Sequence, residues 1–354
     1  MQKYNVVGVM SGTSLDGVDL AHVILSHNNR RWDFEIKETE TIPYTSYWVD
    51  RLKKAVDFND AQLEVLNNEY TQLLGDIIKQ FLAKHSLKGI DAVCSHGHTI
   101  LHQPNEGFTL QIGNQPEIAR ITGVKTVCDF RVQDVQLGGQ GAPLVPIGDR
   151  ILFNAYNACL NLGGFSNISS EKNGERVAYD ICPVNTVLNH YANKLGYQYD
   201  EGGKIAASAE VHIKLLEKLN GLEFYIMPFP KSLGFEFVKE KVLPLIDRYN
   251  SNPADVLATF TEHIAIQISD VIKYSDIKSI LITGGGAYNE HLINRMRNIL
   301  PEVSIEIPDD KTIQFKEALI FGLLGVLKIR GEVNVLASVT GAKHNHSSGV
   351  IYLP

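Results

Sequence analysis

The first stretch of the chain whose residue types could do chemistry spans residues 8–19, GVMSGTSLDGVD. It is a polar turn between two apolar runs, and its candidate cofactor-binding residues are Ser11, Gly12, Thr13, Ser14, Asp16, Gly17 and Asp19. Backbone N–H groups and hydroxyls of small residues can surround phosphate oxygens without steric obstruction. Asp16 and Asp19 are also candidate ligands of Mg²⁺, which is commonly held by one or two carboxylates with waters and phosphates. The structural alternative is a plain hairpin turn in which Asp16 and Asp19 are merely exposed to solvent, because such a turn has the same spacing.

Two later glycine turns extend this pattern. Residues 161–169, NLGGFSNIS, repeat the strand–turn–strand arrangement and contain Gly163, Gly164 and Asn167. Residues 282–289, ITGGGAYN, follow an apolar run and contain Gly284, Gly285 and Gly286. Successive glycines let an adenine or a ribose lie against the backbone, and the N-terminus of a following helix favours a phosphate. A structural turn explains residues 161–169 better when they are taken alone, and residues 282–289 alone are a motif of low specificity, whereas the turns together favour nucleotide binding.

The two commonest nucleotide-binding motifs are absent from the sequence. No G-x-G-x-x-G follows the first strand-like run, which excludes the usual dinucleotide fingerprint. No G-x-x-x-x-G-K-[ST] is present, which excludes the common phosphate-binding loop. ATP, if bound, is therefore bound by another architecture.

Asp180 and Arg131 each end a strand-like run. Asp180 ends ERVAYD, and a carboxylate at the carboxyl end of a strand beside a cleft is a candidate general base. Arg131 follows VCDF and can bind a carboxylate or a phosphate through two parallel N–H groups. Capping of a turn by Asp180 and a surface salt bridge of Arg131 are the structural alternatives.

Three histidines, His96, His98 and His102, lie in the segment SHGHTILHQP. The H-x-H step would place two imidazoles on one face of a strand, which is compatible with zinc. No third ligand with suitable spacing accompanies them. We therefore predict substrate contacts, with His98 as the candidate, or packing of a loop.

The elements that must position these residues follow from hydrophobic spacing. Apolar residues three and four apart predict a helix over residues 60–85, and further helices are predicted near 116–122, 255–274 and 315–329. Each half of the chain begins with strand, polar glycine turn, strand, and strands and helices then alternate. This pattern predicts a layered α/β fold with two related lobes. Residues 131–146, rich in Gly and Pro, are predicted to be a functional loop and the domain junction.

Composition narrows the classes of function. The chain has 354 residues, of which 44% are hydrophobic and 21% charged, enough apolar material for two cores. The formal net charge of −7 argues against a nucleic-acid partner held by a basic surface. No signal peptide is visible, and the longest apolar run, residues 318–327, is too short to span a bilayer. The scattered cysteines (Cys94, Cys128, Cys159 and Cys182) indicate reduced core thiols and a cytoplasmic protein.

Nine segments in order resemble the anhydro-N-acetylmuramic acid kinases, members of the actin/Hsp70/hexokinase-like superfamily. They are GVMSGTSLDGVDLA, SHGHTILHQP, DFRVQDVQLGGQGAPLVP, NLGGFSNIS, FPKSLGFEF, DVLATFTEHIA, ITGGGAYNEHLI, KEALIFGLL and SVTGA. They run from near residue 8 to near residue 342, essentially the whole chain. The resemblance implies a two-lobed, ribonuclease H-like α/β kinase fold with a central active-site cleft. We expect an N-terminal lobe over 1–135 and a C-terminal lobe over 136–354, with the extreme C-terminus packing back on the N-terminal lobe.

The resemblance also implies an activity. Such enzymes open the 1,6-anhydro ring of anhydro-N-acetylmuramic acid with water and phosphorylate the six-position oxygen, giving N-acetylmuramic acid 6-phosphate and ADP in cell-wall sugar recycling. Asp180 matches the base that activates water. Arg131 and Glu317 match sugar-contacting positions, with His98 and Asn185 as further substrate candidates, and Gly284, Gly285 and Gly286 match the nucleotide side. ATP and Mg²⁺ are the implied cofactors and a homodimer the implied assembly, with no nucleic acid or membrane as a partner.

Two departures from the family pattern bear on the substrate. The family usually has D-x-G-P-G-N after the base, whereas this chain has Asp180 followed by ICPVN, with Cβ atoms at Cys182 and Val184 that are expected to reshape the turn holding the sugar. Residues 147–150, IGDR, lack the usual aromatic–histidine step. The alternatives are a kinase for a different amino sugar and a non-catalytic ATP-binding regulatory protein.

Overall fold

The computed structural model describes residues 1–12, 14–29, 31–228 and 231–354. Its strands are β1 (Gln2–Ser11), β2 (Gly17–Asn28), β3 (Arg31–Pro43), β4 (Ala92–Gln103), β5 (Phe108–Ile112), β6 (Thr126–Cys128), β7 (Ala158–Leu162), β8 (Phe165–Lys172), β9 (Glu175–Pro183), β10 (Ser279–Thr283), β11 (Ser304–Glu306) and β12 (Val350–Tyr352).

The α-helices are α1 (Ser46–Lys54), α2 (Asp60–Lys84), α3 (Glu117–Thr122), α4 (Val132–Gln136), α5 (Val145–Leu152), α6 (Asn185–Lys194), α7 (Lys204–Ser208), α8 (Ile213–Asn220), α9 (Glu223–Ile226), α10 (Phe235–Phe237), α11 (Leu243–Asp247), α12 (Pro253–Tyr274), α13 (Glu290–Ile299), α14 (Asp310–Ile329) and α15 (Ala337–Thr340). Short 3₁₀ turns occupy Ala55–Asp57, Pro104–Glu106, Glu201–Gly203 and Gly285–Tyr288, and a π-helical turn occupies Val238–Val242.

The chain forms two compact units. The first unit contains residues 1–152 and 315–354, and the second contains residues 153–314. The prediction from sequence divided the chain at 135/136 and assigned residues 136–354 to the second lobe, with the extreme C-terminus packing back on the first. The structure groups α4, α5 and most of α14 with the first unit. The last strand, β12, pairs antiparallel with β6 and so completes the sheet of the first unit.

The sheets of the two units share one connectivity. Within the described residues, the first sheet has the order β12-β6-β4-β1-β2-β3, with β5 paired to β4, and the second has the order β11-β10-β7-β8-β9. Strands β1, β2 and β3 are antiparallel neighbours, and β4 pairs parallel to β1. Strands β7, β8 and β9 repeat the antiparallel part, and β10 pairs parallel to β7. The predicted strand–turn–strand at the start of each half is therefore confirmed, as is the α/β class.

One long helix organises each core. In the first unit α2 buries Leu66, Tyr70, Leu74 and Ile78 against the sheet, at the spacing that predicted it. A capping box between Asn59 and Gln62 starts this helix. In the second unit α12 buries Leu257, Phe260, Ile264 and Ile268. The four cysteines are free and buried, as predicted.

Glycine lets α14 lie unusually close to β1. A Cβ atom on Gly8 would be 1.8 Å from the carbonyl oxygen of Ala318, and one on Gly325 would be 2.2 Å from Sγ of Cys94 in β4. Small residues at these contacts bring the helix backbone against the sheet. Ala318, the residue after Glu317, is thereby placed against Gly8 of β1.

Candidate functional site

The turn between β1 and β2 has an accessible backbone. Leu15 N–H donates to the carbonyl of Gly12 at 3.3 Å, and Leu15 has a left-handed φ of 61°. A Cβ on Gly12 would meet nothing closer than 3.5 Å, and both Ser14 and Asp16 are exposed. Gly17 has a packing role, since a Cβ there would be 2.3 Å from the carbonyl oxygen of Ile42. Thr13 lies outside the described residues.

Ser11, which precedes this turn, has its side chain directed inward. Its hydroxyl contacts Nδ1 of His98 at 2.7 Å and the hydroxyl of Tyr44 at 2.6 Å. Tyr44 in turn bonds the hydroxyl of Tyr70 on α2. Burial lowers the pKa of His98 to about 4, so the ring is neutral at pH 7. Ser11 and His98, predicted for phosphate and substrate, thus form a buried network with two tyrosines that the sequence patterns did not single out.

Arg131 is fixed by two hydrogen bonds within the first unit. Its Nε donates to Nε2 of His96 at 2.7 Å, and its Nη1 donates to the carbonyl of Gly141 at 2.6 Å. Because Nε2 of His96 accepts, the ring proton is on Nδ1, which lies 2.9 Å from the carbonyl of Gly97. Burial lowers the pKa of Arg131 to about 10, and the charge of Glu317 acts in the opposite direction.

Glu317 lies within electrostatic reach of Arg131. Solvent reaches the Glu317 side chain, yet surrounding protein raises the pKa of its carboxyl. The charges of Arg131 and Lys316 lower that pKa, and the charge of Asp19 raises it. Lys316 also forms a buried 2.8 Å ion pair with Asp149. Glu317 is therefore within electrostatic reach of both Arg131 and Asp19.

The carboxylates of Asp16 and Asp19 at the turn suit a magnesium ion that has few protein ligands. Asp19 has a raised pKa because of burial, opposed by a hydrogen bond from Thr41 and reinforced by the charge of Asp16. A divalent cation would relieve this repulsion between two carboxylates. No group of three or more His, Cys, Asp or Glu side chains within the described part of the chain is arranged for a metal. Mg²⁺ needs only one or two protein carboxylates when phosphates and waters complete its shell.

The zinc alternative for the histidines finds no support in their contacts. His96 bonds Arg131, His98 bonds Ser11, and Nδ1 of His102 lies 3.0 Å from the hydroxyl of Thr109. The three rings thus have separate protein partners, and Gly97, with φ of 74°, interrupts the regular strand between the first two.

In the second unit, Asp180 lies on β9, opposite Asn167 of β8. The register shifts between Ser166 and Asn167, so that Ile181 is the extra residue of a β-bulge beside Asp180. Oδ2 of Asp180 accepts the N–H of Leu233 at 2.8 Å, and the Asp180 N–H donates to the carbonyl of Lys231 at 3.0 Å. Burial raises the pKa of Asp180, while the Leu233 bond lowers it. A partly exposed carboxylate with a raised pKa suits a general base.

The two glycine turns of the second unit contact each other. Gly284 has φ of 82°, and a Cβ there would lie 2.5 Å from Oδ1 of Asn161 and 2.8 Å from the carbonyl of Leu162. A Cβ on Gly286 would lie 2.6 Å from Cβ of Leu162. Only glycine permits this approach.

Asn185, predicted as a substrate residue, lies with the same turns. Its N–H donates to the carbonyl of Gly163 at 3.2 Å, its Nδ2 donates to the carbonyl of Leu162 at 3.4 Å, and a Cβ on Gly285 would be 3.6 Å from Nδ2. The N–H groups of Val184 and Thr186 both donate to the carbonyl of Gly164. The turns and the start of α6 therefore form one connected structure.

The departures at Cys182 and Val184 affect the core. Both side chains are fully buried among the apolar residues of the second unit. Sγ of Cys182 lies 3.2 Å from the hydroxyl of Ser166. These side chains fill the core of the second unit, and the effect of their Cβ atoms on a sugar-holding turn stays a prediction.

The sequence relatives of this chain share one family description. The sequence profile of a family described as "Anhydro-N-acetylmuramic acid kinase" matches residues 4–354. Curated relatives of that name from Variovorax paradoxus and Pasteurella multocida are each 36% identical over 98% of this chain, covering 98% and 96% of their own lengths. Among solved structures, component A of (R)-2-hydroxyglutaryl-CoA dehydratase from Acidaminococcus fermentans aligns with 92% of this chain and 99% of its own, at 13% identity and a TM-score of 0.49. Within the described residues, no helix combines the length and apolarity needed to cross a membrane.

Proposed function

Because the chain belongs to the anhydro-N-acetylmuramic acid kinase family, we propose that it is an ATP-dependent kinase acting on anhydro-N-acetylmuramic acid. The products are N-acetylmuramic acid 6-phosphate and ADP, and the place of the reaction is the recycling of cell-wall sugar. The structural observation that carries the proposal is the Asp180 carboxylate, whose raised pKa and main-chain hydrogen bond suit a base that activates water.

The reaction balances with one water and one ATP. Asp180 takes a proton from water as the water oxygen bonds to the anomeric carbon. The bond from that carbon to the six-position oxygen breaks, and this oxygen bonds to the γ-phosphorus while ADP leaves. Capture by phosphorus stabilises the departing oxygen, so the step needs no separate acid. Phosphoryl transfer then depends chiefly on positioning and on neutralisation of charge.

The remaining residues have positioning roles in this proposal. Arg131 and Glu317 contact the sugar, and the rigid hydrogen bonds of Arg131 to His96 and Gly141 support this assignment. His98 acts behind the turn through Ser11, since both side chains are buried.

In this proposal the glycine turns bind the nucleotide. The backbone at Gly12 and Ser14 faces the phosphates, and Gly163, Gly164, Asn167, Gly284, Gly285 and Gly286 form the nucleotide side, with Asn185 bridging their turns. Asp16 and Asp19 would hold Mg²⁺, which would neutralise charge on the phosphates. We further propose a cytoplasmic homodimer without a nucleic-acid or membrane partner.

The experiment that tests the proposal is sugar-dependent release of ADP in the presence of Mg²⁺ and ATP. The substrates compared are anhydro-N-acetylmuramic acid, N-acetylmuramic acid, N-acetylglucosamine and glucose. We expect turnover with the anhydro sugar alone. Turnover only with another sugar would retain the kinase and overturn the substrate, and ATP binding without turnover on any sugar would indicate a regulatory protein.

A further inference from the structure

A short main-chain segment, residues 231–233, runs along β9, the edge strand of the second sheet. It makes both of the hydrogen bonds described above for Asp180, one to the peptide N–H and one to Oδ2. Neither bond uses a side chain of the segment. The location of the carboxylate therefore depends on whatever holds this piece of backbone in place.

The side chain of Lys231 provides that anchor. Its Nζ donates to the carbonyl of Phe224 at 2.9 Å and to that of Tyr225 at 3.4 Å. Both carbonyls belong to α9, a four-residue helix, and the carbonyl of Phe224 also accepts the N–H of Met227 at 3.3 Å. The ammonium also lies 4.5 Å from the centre of the Phe224 ring, a favourable cation–π distance. One side chain thus ties the segment beside Asp180 to α9.

α9 is in turn tied to the central helix α12. The hydroxyl of Tyr225 lies 2.9 Å from Nε2 of His263, a fully buried residue of α12. Nδ1 of His263 lies 2.6 Å from Oδ1 of Asn220, which also accepts from Gln267. Because that oxygen accepts, Nδ1 carries the proton and Nε2 accepts from the tyrosine. The contacts form a continuous path from the core of the second unit to Asp180.

We propose that Lys231 is a positioning residue for the general base, holding residues 231–233 so that their peptide groups fix the Asp180 carboxylate. The inference rests on the proposed role of Asp180. Lys231 itself contacts only α9 carbonyls and an aromatic ring among its described hydrogen-bond and cation–π partners. Its effect on the reaction therefore passes through the backbone at 231 and 233.

This role has two measurable consequences. The Leu233 N–H stabilises the charged form of Asp180, so release of the segment removes a contact that lowers the pKa of Asp180. The acid limb of the rate profile should then move to higher pH, because the base must be deprotonated to act. The carboxylate also loses its fixed orientation toward water, and misplacement by about 1 Å costs on the order of a hundredfold in rate.

The test compares Lys231→Met, which keeps the length of the side chain and removes its donors, with Lys239→Met at an exposed lysine of the same unit. For Lys231→Met we expect kcat for the anhydro sugar to fall by roughly ten- to a hundredfold, with the KM for ATP unchanged and the acid limb of kcat shifted to higher pH. Lys231→Arg, which retains a cationic donor, should recover most of the rate. Lys239→Met should match the unsubstituted protein.

Asp180→Asn, measured in parallel, separates the two proposals. Full turnover of Asp180→Asn would reject Asp180 as the base and leave Lys231 without this role. An inactive Asp180→Asn beside a Lys231→Met variant with normal kcat and an unshifted acid limb would overturn the present inference alone. If Lys231→Met does not fold, Tyr225→Phe removes only the hydroxyl that ties α9 to His263. It should shift the acid limb in the same direction to a smaller extent, and an unshifted limb would again overturn the inference.

Discussion

The hydroxyl of Thr340 donates a hydrogen bond to Oδ1 of Asp134 at 2.7 Å, although 206 positions separate the two residues. Both are buried in the first unit. Oδ2 of Asp134 accepts the N–H of Gly141 at 2.7 Å, and the carbonyl of Gly141 accepts from Arg131. The segment after α14 therefore stabilises the turn that fixes Arg131.

Removal of this hydroxyl should loosen the Gly141 turn. Thr340→Val keeps the shape of the side chain but removes the hydroxyl that donates to Oδ1 of Asp134, a loss worth about 1 kcal/mol. We expect the amide of Gly141 to exchange with deuterium about fivefold faster. Thr340→Ser, which keeps the donor, is the control. Equal exchange rates in the two variants would show that the hydrogen bond does not hold the turn.

Replacement of Arg131 by lysine should weaken use of the sugar. Lysine has a point-like ammonium and cannot bond His96 and Gly141 while presenting the same planar donors. A charged hydrogen bond is worth about 1.5–3 kcal/mol, so kcat/KM for the sugar should fall by about ten- to a hundredfold. The exposed Arg120, paired to Glu117 at 3.2 Å, gives the matched control Arg120→Lys. Similar kinetics for both variants would remove Arg131 from the sugar site.

The rate should depend on ionisation of Asp180. Its pKa is raised above 3.8, so kcat/KM should fall as the pH decreases through a pKa higher than that of a free aspartate. Asp180→Asn should lose turnover by at least about a hundredfold, the usual contribution of a general base, and retain ATP binding measured by calorimetry. Asp276→Asn at an exposed position with a left-handed φ of 51°, which asparagine tolerates, serves as the control.

A methyl group on Gly8 should destabilise the first unit. It would be 1.8 Å from the Ala318 carbonyl, so α14 must move away from β1. Overpacking of this kind costs about 1–3 kcal/mol, and we expect a lower Tm by calorimetry. Gly12→Ala, where the new methyl meets nothing closer than 3.5 Å, should change Tm much less. A Tm for Gly8→Ala equal to that of Gly12→Ala would contradict the close approach of α14.

Two buried histidines should make stability depend on pH. Burial lowers the pKa of His98 to about 4 and that of His263 to about 3, from 6.5. Below pH 6.5 the unfolded chain binds protons that the folded chain excludes, so each ring reduces stability by up to about 1.4 kcal/mol per pH unit as the pH falls. We expect His263→Gln to flatten the decline of Tm between pH 6.5 and 4. An unchanged slope would mean that His263 is charged in the folded protein.

Local patterns predicted the regular elements well. The helix expected over residues 60–85 is α2, Asp60–Lys84, because its apolar spacing and its capping box act within a few residues. Both hairpins were likewise predicted from apolar runs around a glycine turn. Residues 131–146, expected to be a loop, contain α4 and the start of α5. A five-residue helix such as α4 is too short to show a period.

The candidate site was predicted less completely. Individual residues such as Asp180, Arg131 and Glu317 were selected through motifs and resemblance. The residues that support them, and the partner of Ser11, were not selected, since Lys231, Asp134 and Tyr44 act through contacts between distant parts of the chain. Pairing of β12 with β6 is also a long-range contact, and it explains why the compact units do not follow a simple division of the sequence.

The first unit contains residues that precede the second unit in the sequence and residues that follow it. During synthesis the residues of β1 to α5 leave the ribosome long before α14 and β12 exist. Gly8 on β1 packs against α14, and the edge of β6 pairs with β12. Both partners are translated only after residues 153–314. The second unit, continuous in sequence, is complete before those partners are made, and unpaired strand edges and exposed apolar surface make a nascent chain prone to aggregate.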